Sequence, residues 1–210
     1  ELEMLNAWIS EELAAEPGNH WYQALELATT ACKGRRQWKE KYQDQLGRME
    51  FPGLASEVNE ENKLLTELLD SDELTLSVKR ELARVAIINS FEMPADSVAS
   101  CLRVYKQQMQ EDGPPEGNAS VFVFKRAGQL VGMDSQRELI QSIADLEVEG
   151  LRESDDRWQY SNSGLDVALI DLLHTLGDTS GINRLPRGDR DGYSFIGHDG
   201  RVRLVELGHY

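Results

Sequence analysis

The residues best equipped for chemistry crowd into the last thirty, GINRLPRGDRDGYSFIGHDGRVRLVELGHY, where arginine, glycine and histidine replace the acidic character of the rest. His198 beside Asp199, with Tyr193 and Ser194 nearby, supplies the ingredients of acid–base work, because an imidazole titrates near neutral pH. A hydrolase centred on His198 is therefore one reading. Against it, neighbouring residues in a turn point apart, and no serine or cysteine sits in a nucleophile elbow or beside an oxyanion-forming loop. In the same stretch Arg184, Arg187 and Arg190 recur at every third position around Pro186 and Gly188. An extended or polyproline-like segment would present their three guanidinium forks on one side, suited to a carboxylate- or phosphate-bearing partner. Asp189 and Asp191 partly offset that charge.

A second basic cluster, Lys33, Arg35, Arg36, Lys39 and Lys41, surrounds Trp38, and basic groups beside an aromatic ring can hold phosphates and stack a base. Glu40 and Asp44 follow within one or two turns, so pairing along the helix surface explains the same residues without a ligand. The candidate binding residues are thus Arg184, Arg187, Arg190, Arg35, Arg36 and Trp38, and no catalytic residue is assigned. Phosphate-loop, dinucleotide, zinc-protease and EF-hand spacings are missing, and the histidines at positions 20, 174, 198 and 209 are dispersed. No cofactor and no metal are expected.

The elements that must position these residues are mostly helices. Leu2, Leu5, Ile9 and Leu13 form an apolar stripe over residues 2–15, broken by Glu16-Pro17-Gly18-Asn19. Residues 20–49 are expected to form one long helix with a kink, or two helices, with Trp21, Leu25, Ala28 and Cys32 inward and a change of phase near Gly34. A third is expected over 54–69. Asp70 and Glu73 resemble a capping box that opens a fourth, which carries Leu74, Val78, Leu82, Val85 and Ile88. Pro94 opens a fifth, to about residue 110. The fourth and fifth could form a DNA-reading pair, but the latter lacks a dense basic flank, and antiparallel packing accounts for the pattern.

Gly113, Pro114, Pro115 and Gly117 within residues 111–119 read as a linker. Beyond it, SVFVFK at 120–125 is rich in β-branched and aromatic residues and predicts a hairpin that turns at Arg126-Ala127-Gly128 and returns over 129–132. A helix capped by Asp134 follows, with Leu139, Ile140, Ile143 and Leu146 inward. Trp158-Gln159-Tyr160 suggests a short strand. Ser163 and Asp166 mark the start of a strongly apolar helix that stops at Gly177, with His174 near its end. A second hairpin is expected from 193–196 to 201–207 across Gly197-His198-Asp199-Gly200. The fold expected is mainly α with a small β component (α+β): a helical bundle over 1–110, a linker over 111–119, and an α+β subdomain with two β-hairpins over 120–210.

A chain of 210 residues with 40% hydrophobic and 28% charged residues is ordinary for a globular protein, and needs no disulfide or metal to fold. Its formal net charge of −15 repels phosphates and anionic membranes over long range. Nucleic acid is therefore disfavoured as a partner except at a local basic patch, and no membrane partner is expected. The first sixteen residues carry acids where a signal peptide carries bases, and no run of apolar residues is long enough to span a bilayer. Cys32 and Cys101 are far apart and outside any paired motif, pointing to a reducing, cytoplasmic setting. The function expected is that of a noncatalytic interaction or regulatory protein, adaptor-like, that binds a basic protein through acidic helical faces and the arginine-rich loop. A nucleic-acid accessory factor is the alternative.

Overall fold

The computed structural model describes residues 2–41, 53–89, 93–113, 119–153, 164–186 and 196–209, and every regular element among them is a helix. By backbone contacts the chain divides into two compact units, Glu1–Val104 and Tyr105–Tyr210.

In the first unit, α1 (Leu2–Ala15) and α2 (His20–Lys41) are joined by the Pro17-Gly18 turn. Asn19 stabilises that turn by accepting from the Trp21 backbone N–H at 3.0 Å and donating to Glu16 at 2.9 Å. α2 packs on α1, α3 (Glu60–Asp70) and α4 (Leu76–Asn89). Asn59 caps α3, accepting from the Asn62 N–H at 2.8 Å. Residues 54–59 are not helical, so α3 starts later than its apolar pattern suggests. Asp70 ends α3 and does not cap α4; it is Ser71 whose hydroxyl accepts the Glu73 N–H, at 3.1 Å. α4 buries Leu82, Ala83, Ala86 and Ile87, pairs of neighbours one turn apart. Where α5 (Ala95–Asp112) begins, Ser97 donates to the Asn62 carbonyl at 3.1 Å and lies 3.1 Å from the Thr66 hydroxyl. Those bonds satisfy polar groups enclosed with the apolar residues of α3.

The second unit is built on α8 (Leu165–Leu176), which contacts α6 (Ala119–Leu130), α7 (Asp134–Glu153), α9 (Thr179–Arg184) and α10 (His198–Glu206). Eight of its residues are buried, from Leu165 and Asp166 to Leu173 and Leu176, more than one stripe of a helix can supply. Such a helix needs cover on several sides, and four neighbours provide it. Gly177 ends it at φ 75°, in the left-handed region that a residue with a Cβ avoids. Asp178 then caps α9 through the Gly181 N–H at 2.7 Å.

The α+β expectation is overturned, since no strand occurs among the described residues. Residues 120–125, expected as the first arm of a hairpin, lie inside α6. Ser120, Val123, Phe124, Ala127 and Leu130 are all buried, at helical spacing. A four-residue apolar run cannot distinguish strand from helix; the continuation of the stripe through Ala127 and Leu130 does. The second hairpin is likewise replaced, by α10: Asp199 and Gly200, expected in its turn, occupy the first helical turn, and only Gly200 and Leu204 of that helix are buried. The 158–160 strand and the 193–195 part of the second hairpin lie outside the described residues.

Candidate functional site

In the first unit, a surface made by α1 and α2 stands out. The buried face of α1 is narrow and centres on Ile9, while Met4 is 77%, Leu5 38% and Trp8 41% exposed. Among the described side chains of α2 the buried ones are Ala24 and Thr29, and Trp21, expected inward, is 45% exposed. Trp8, Trp21 and Tyr22 form a mutual aromatic cluster. Their ring centroids are 6.5, 5.7 and 5.4 Å apart in the order Trp8–Trp21, Trp8–Tyr22 and Trp21–Tyr22, with interplanar angles of 75°, 83° and 74°. Burial, a hydrogen bond to Glu12 and the charges of Glu12 and Glu16 all raise the pKa of the Tyr22 phenol. The cluster is therefore apolar at its centre and anionic at its edge.

Trp21 also borders a cleft of about 400 Å³ lined by Asn19, His20, Glu73, Leu74, Thr75 and Val78. His20 Nδ1 lies 3.0 Å from the Ser71 hydroxyl and 3.1 Å from the Glu73 carboxylate, so the turn before α4 holds the ring at the mouth of the cleft. Glu73 remains 71% exposed and free to meet a cation from solvent.

The arginines singled out by spacing have separate settings. Arg184 ends α9 and is not part of an extended loop; its guanidinium donates to Asp145 of α7 at 2.6 Å. Pairing with an acidic helix thus accounts for Arg184. Arg187 and Arg190 lie outside the described residues. Arg35 and Arg36 fall within α2, as does Trp38, but their side chains are likewise outside them. His198 and Asp199 are exposed successive residues of α10, about 100° apart around its axis. Tyr193 and Ser194 are outside the described residues. His174, expected as a lone histidine, meets His209 with Nδ1 and Nε2 2.9 Å apart, an N–H···N bond that needs one bare nitrogen. No group of three or more potential metal ligands occurs among the described residues.

Among the described residues of the second unit, one buried acid has no hydrogen-bond partner. Glu147 of α7 is fully enclosed, neither carboxylate oxygen has a hydrogen-bond partner among the described residues, and burial pushes its pKa up to about 7. By contrast, Asp166 at the start of α8, also buried, accepts the Val167 N–H at 2.8 Å and the Gly197 N–H at 2.9 Å. It thereby holds the entry of α10; Ser163, the other half of the expected start signal, lies outside the described residues.

Sequence reasoning missed both the aromatic cluster and Glu147, although each left a trace. Trp8 lies off the Leu2–Leu5–Ile9–Leu13 stripe, and a large aromatic off the buried stripe is a candidate surface group. Glu147 lies one turn from both Ile143 and Leu151, within the buried stripe of α7. Compared with known proteins, the chain matches no family model, no curated protein and no solved structure. No helix among the described residues is long and apolar enough to cross a membrane.

Proposed function

We propose that this is a noncatalytic interaction protein that captures a basic segment of another protein on the α1–α2 surface. The observation that carries the reading is an exposed apolar patch, Met4, Leu5, Trp8 and Trp21, set among carboxylates on a chain of net charge −15. Single exposed apolar residues are ordinary, whereas a contiguous group with tryptophan at its centre is the composition of a binding hot spot. The surrounding acids supply long-range attraction and selectivity for a basic partner. The arginine-rich segment near Arg184 serves as a second contact in this reading. Cys32 and Cys101 lie far apart in the sequence and outside any paired motif, which suits work in a reducing compartment such as the cytoplasm.

The test is capture of a lysine-rich peptide by the full chain in about 50 mM and about 300 mM salt, with double-stranded DNA as the competing ligand. Peptide binding that weakens several-fold at the higher salt supports the reading. Binding indifferent to salt removes its electrostatic half, and preference for the DNA replaces it with a nucleic-acid accessory role that uses the Lys33–Lys41 cluster.

A further inference from the structure

We propose that Trp8, Trp21 and Tyr22 form a three-walled receptor for one alkylammonium group, the lysine side chain of the basic segment. The inference rests on the proposed function and adds the chemical identity of the group that the surface reads.

The argument begins with shape. A cation is drawn to the face of an aromatic ring, where the quadrupole is negative. A small cation seated about 4 Å above each of three mutually perpendicular rings sets the ring centroids about 5.7 Å apart. The separations of 5.4, 5.7 and 6.5 Å bracket that value, and the interplanar angles of 74°, 83° and 75°, those of edge-to-face contacts, are also compatible with a corner. Trp8 and Trp21 keep 41% and 45% of their surface exposed and Tyr22 is half-buried, so solvent reaches the rings.

Charge points the same way. Glu12 and Glu16 lie close enough to the Tyr22 phenol for their carboxylates to act on it electrostatically. Glu73, beside Trp21 in the neighbouring cleft, adds a third carboxylate. Among the described residues the three rings make ring contacts only with one another. A corner also discriminates between cations. A guanidinium is planar and stacks best on one face or between parallel faces, whereas a compact, nearly spherical ammonium can touch three perpendicular walls at once.

Three rings packed edge to face without a ligand would show the same spacings, so the test must detect the cation itself. Choline is the probe, with 3,3-dimethylbutan-1-ol as its uncharged counterpart of the same shape, each titrated into the full chain while the tryptophan indole N–H signals are followed by NMR. The expected result is saturable shifts of the Trp8 and Trp21 signals by choline, at least about threefold weaker in Trp21→Leu and absent with the alcohol. Tyr22→Phe keeps the third wall and is expected to retain binding, which controls for loss of folding. With peptides, a lysine-rich sequence should outbind its arginine counterpart, and the difference should disappear in Trp21→Leu. Equal responses to choline and the alcohol overturn the receptor. Salt-sensitive peptide binding that ignores Trp21→Leu overturns it too, while leaving the broader function standing. Failure of every basic peptide to bind at low salt overturns both.

Discussion

A single buried carboxyl gives this protein an unusual pH response. Glu147 carries its proton up to about pH 7 in the folded chain, because no hydrogen bond or countercharge among the described residues compensates its burial. In the unfolded chain the same group loses its proton near the ordinary glutamate value. Between those two values only the folded state binds the proton, so stability falls as pH rises and levels off above about 7. The loss amounts to roughly 3 kcal/mol. Glu147→Gln cannot ionise, so it should match the native chain near pH 4.5 and exceed it by roughly that amount at pH 8. Urea unfolding at the two pH values checks this; a native chain as stable at pH 8 as at pH 4.5 would contradict it. Asp166, equally buried, differs in its bonding, because two backbone N–H groups meet its oxygens. Asp166→Ala leaves the Gly197 N–H without its acceptor and should cost about 1–3 kcal/mol. Faster amide exchange at the start of α10 than in the core of α8 would be the local sign of that loss.

At the scale of elements, α6 and α10 are where local pattern and final structure part. In α6, the apolar run that suits a strand is also one half of a helical stripe, and contact with α8 selects the helix. Gly128 offers a direct test, because the two structures predict opposite signs. It lies inside α6, and a Cβ added there meets no atom within 4 Å. Gly128→Ala should therefore stabilise by roughly 0.5–1 kcal/mol, by restricting the unfolded chain and favouring the helix. At the turn of a hairpin the same change would destabilise, so a fall in melting temperature would count against α6. Gly200 is the contrasting glycine: a Cβ there would press into Asp166 and Ile196. Gly200→Ala should cost about 1–3 kcal/mol, visible as a lower urea midpoint. The close approach of α8 to α10 explains why Asp199-Gly200 opens a helix here and does not close a hairpin. Arg203 reinforces that approach through Asp171 of α8 at 2.5 Å.

For the molecule as a whole, the net charge of −15 acts on folding as well as on binding. Like charges at this density repel within the compact state, and salt screens that repulsion over a Debye length of about 10 Å. Raising sodium chloride from about 20 mM to about 300 mM should lift the melting temperature by a few degrees even as it weakens capture of a basic peptide. Opposite responses of stability and binding to one variable would separate the surface field from the packed interior. A melting temperature that falls on adding salt would place the dominant electrostatics in ion pairs instead. Arg184–Asp145 and Arg203–Asp171 are examples, both about half exposed and worth little singly.

Several features were legible in the residues alone. The first helix could be placed to the residue, because an apolar period of 3.6 runs up to a Pro-Gly break that no helix crosses. The end of α8 at Gly177 and the wide apolar face of that helix are equally local, set by a left-handed glycine and by composition. Tertiary contact decided the rest. Whether SVFVFK became strand or helix depended on which neighbour covered it. Which side of α2 faced inward depended on α1, α3 and α4 together, and that choice left Trp21 outside beside Trp8 and Tyr22. Arg184 was drawn to Asp145, thirty-nine positions away in the chain, and Glu147, which spacing placed on the stripe of Ile143 and Leu151, was enclosed only when other elements covered that stripe. Periodicity and backbone stereochemistry act over a few residues and can be read from them; burial and partnership are properties of surfaces that meet only after the chain has folded.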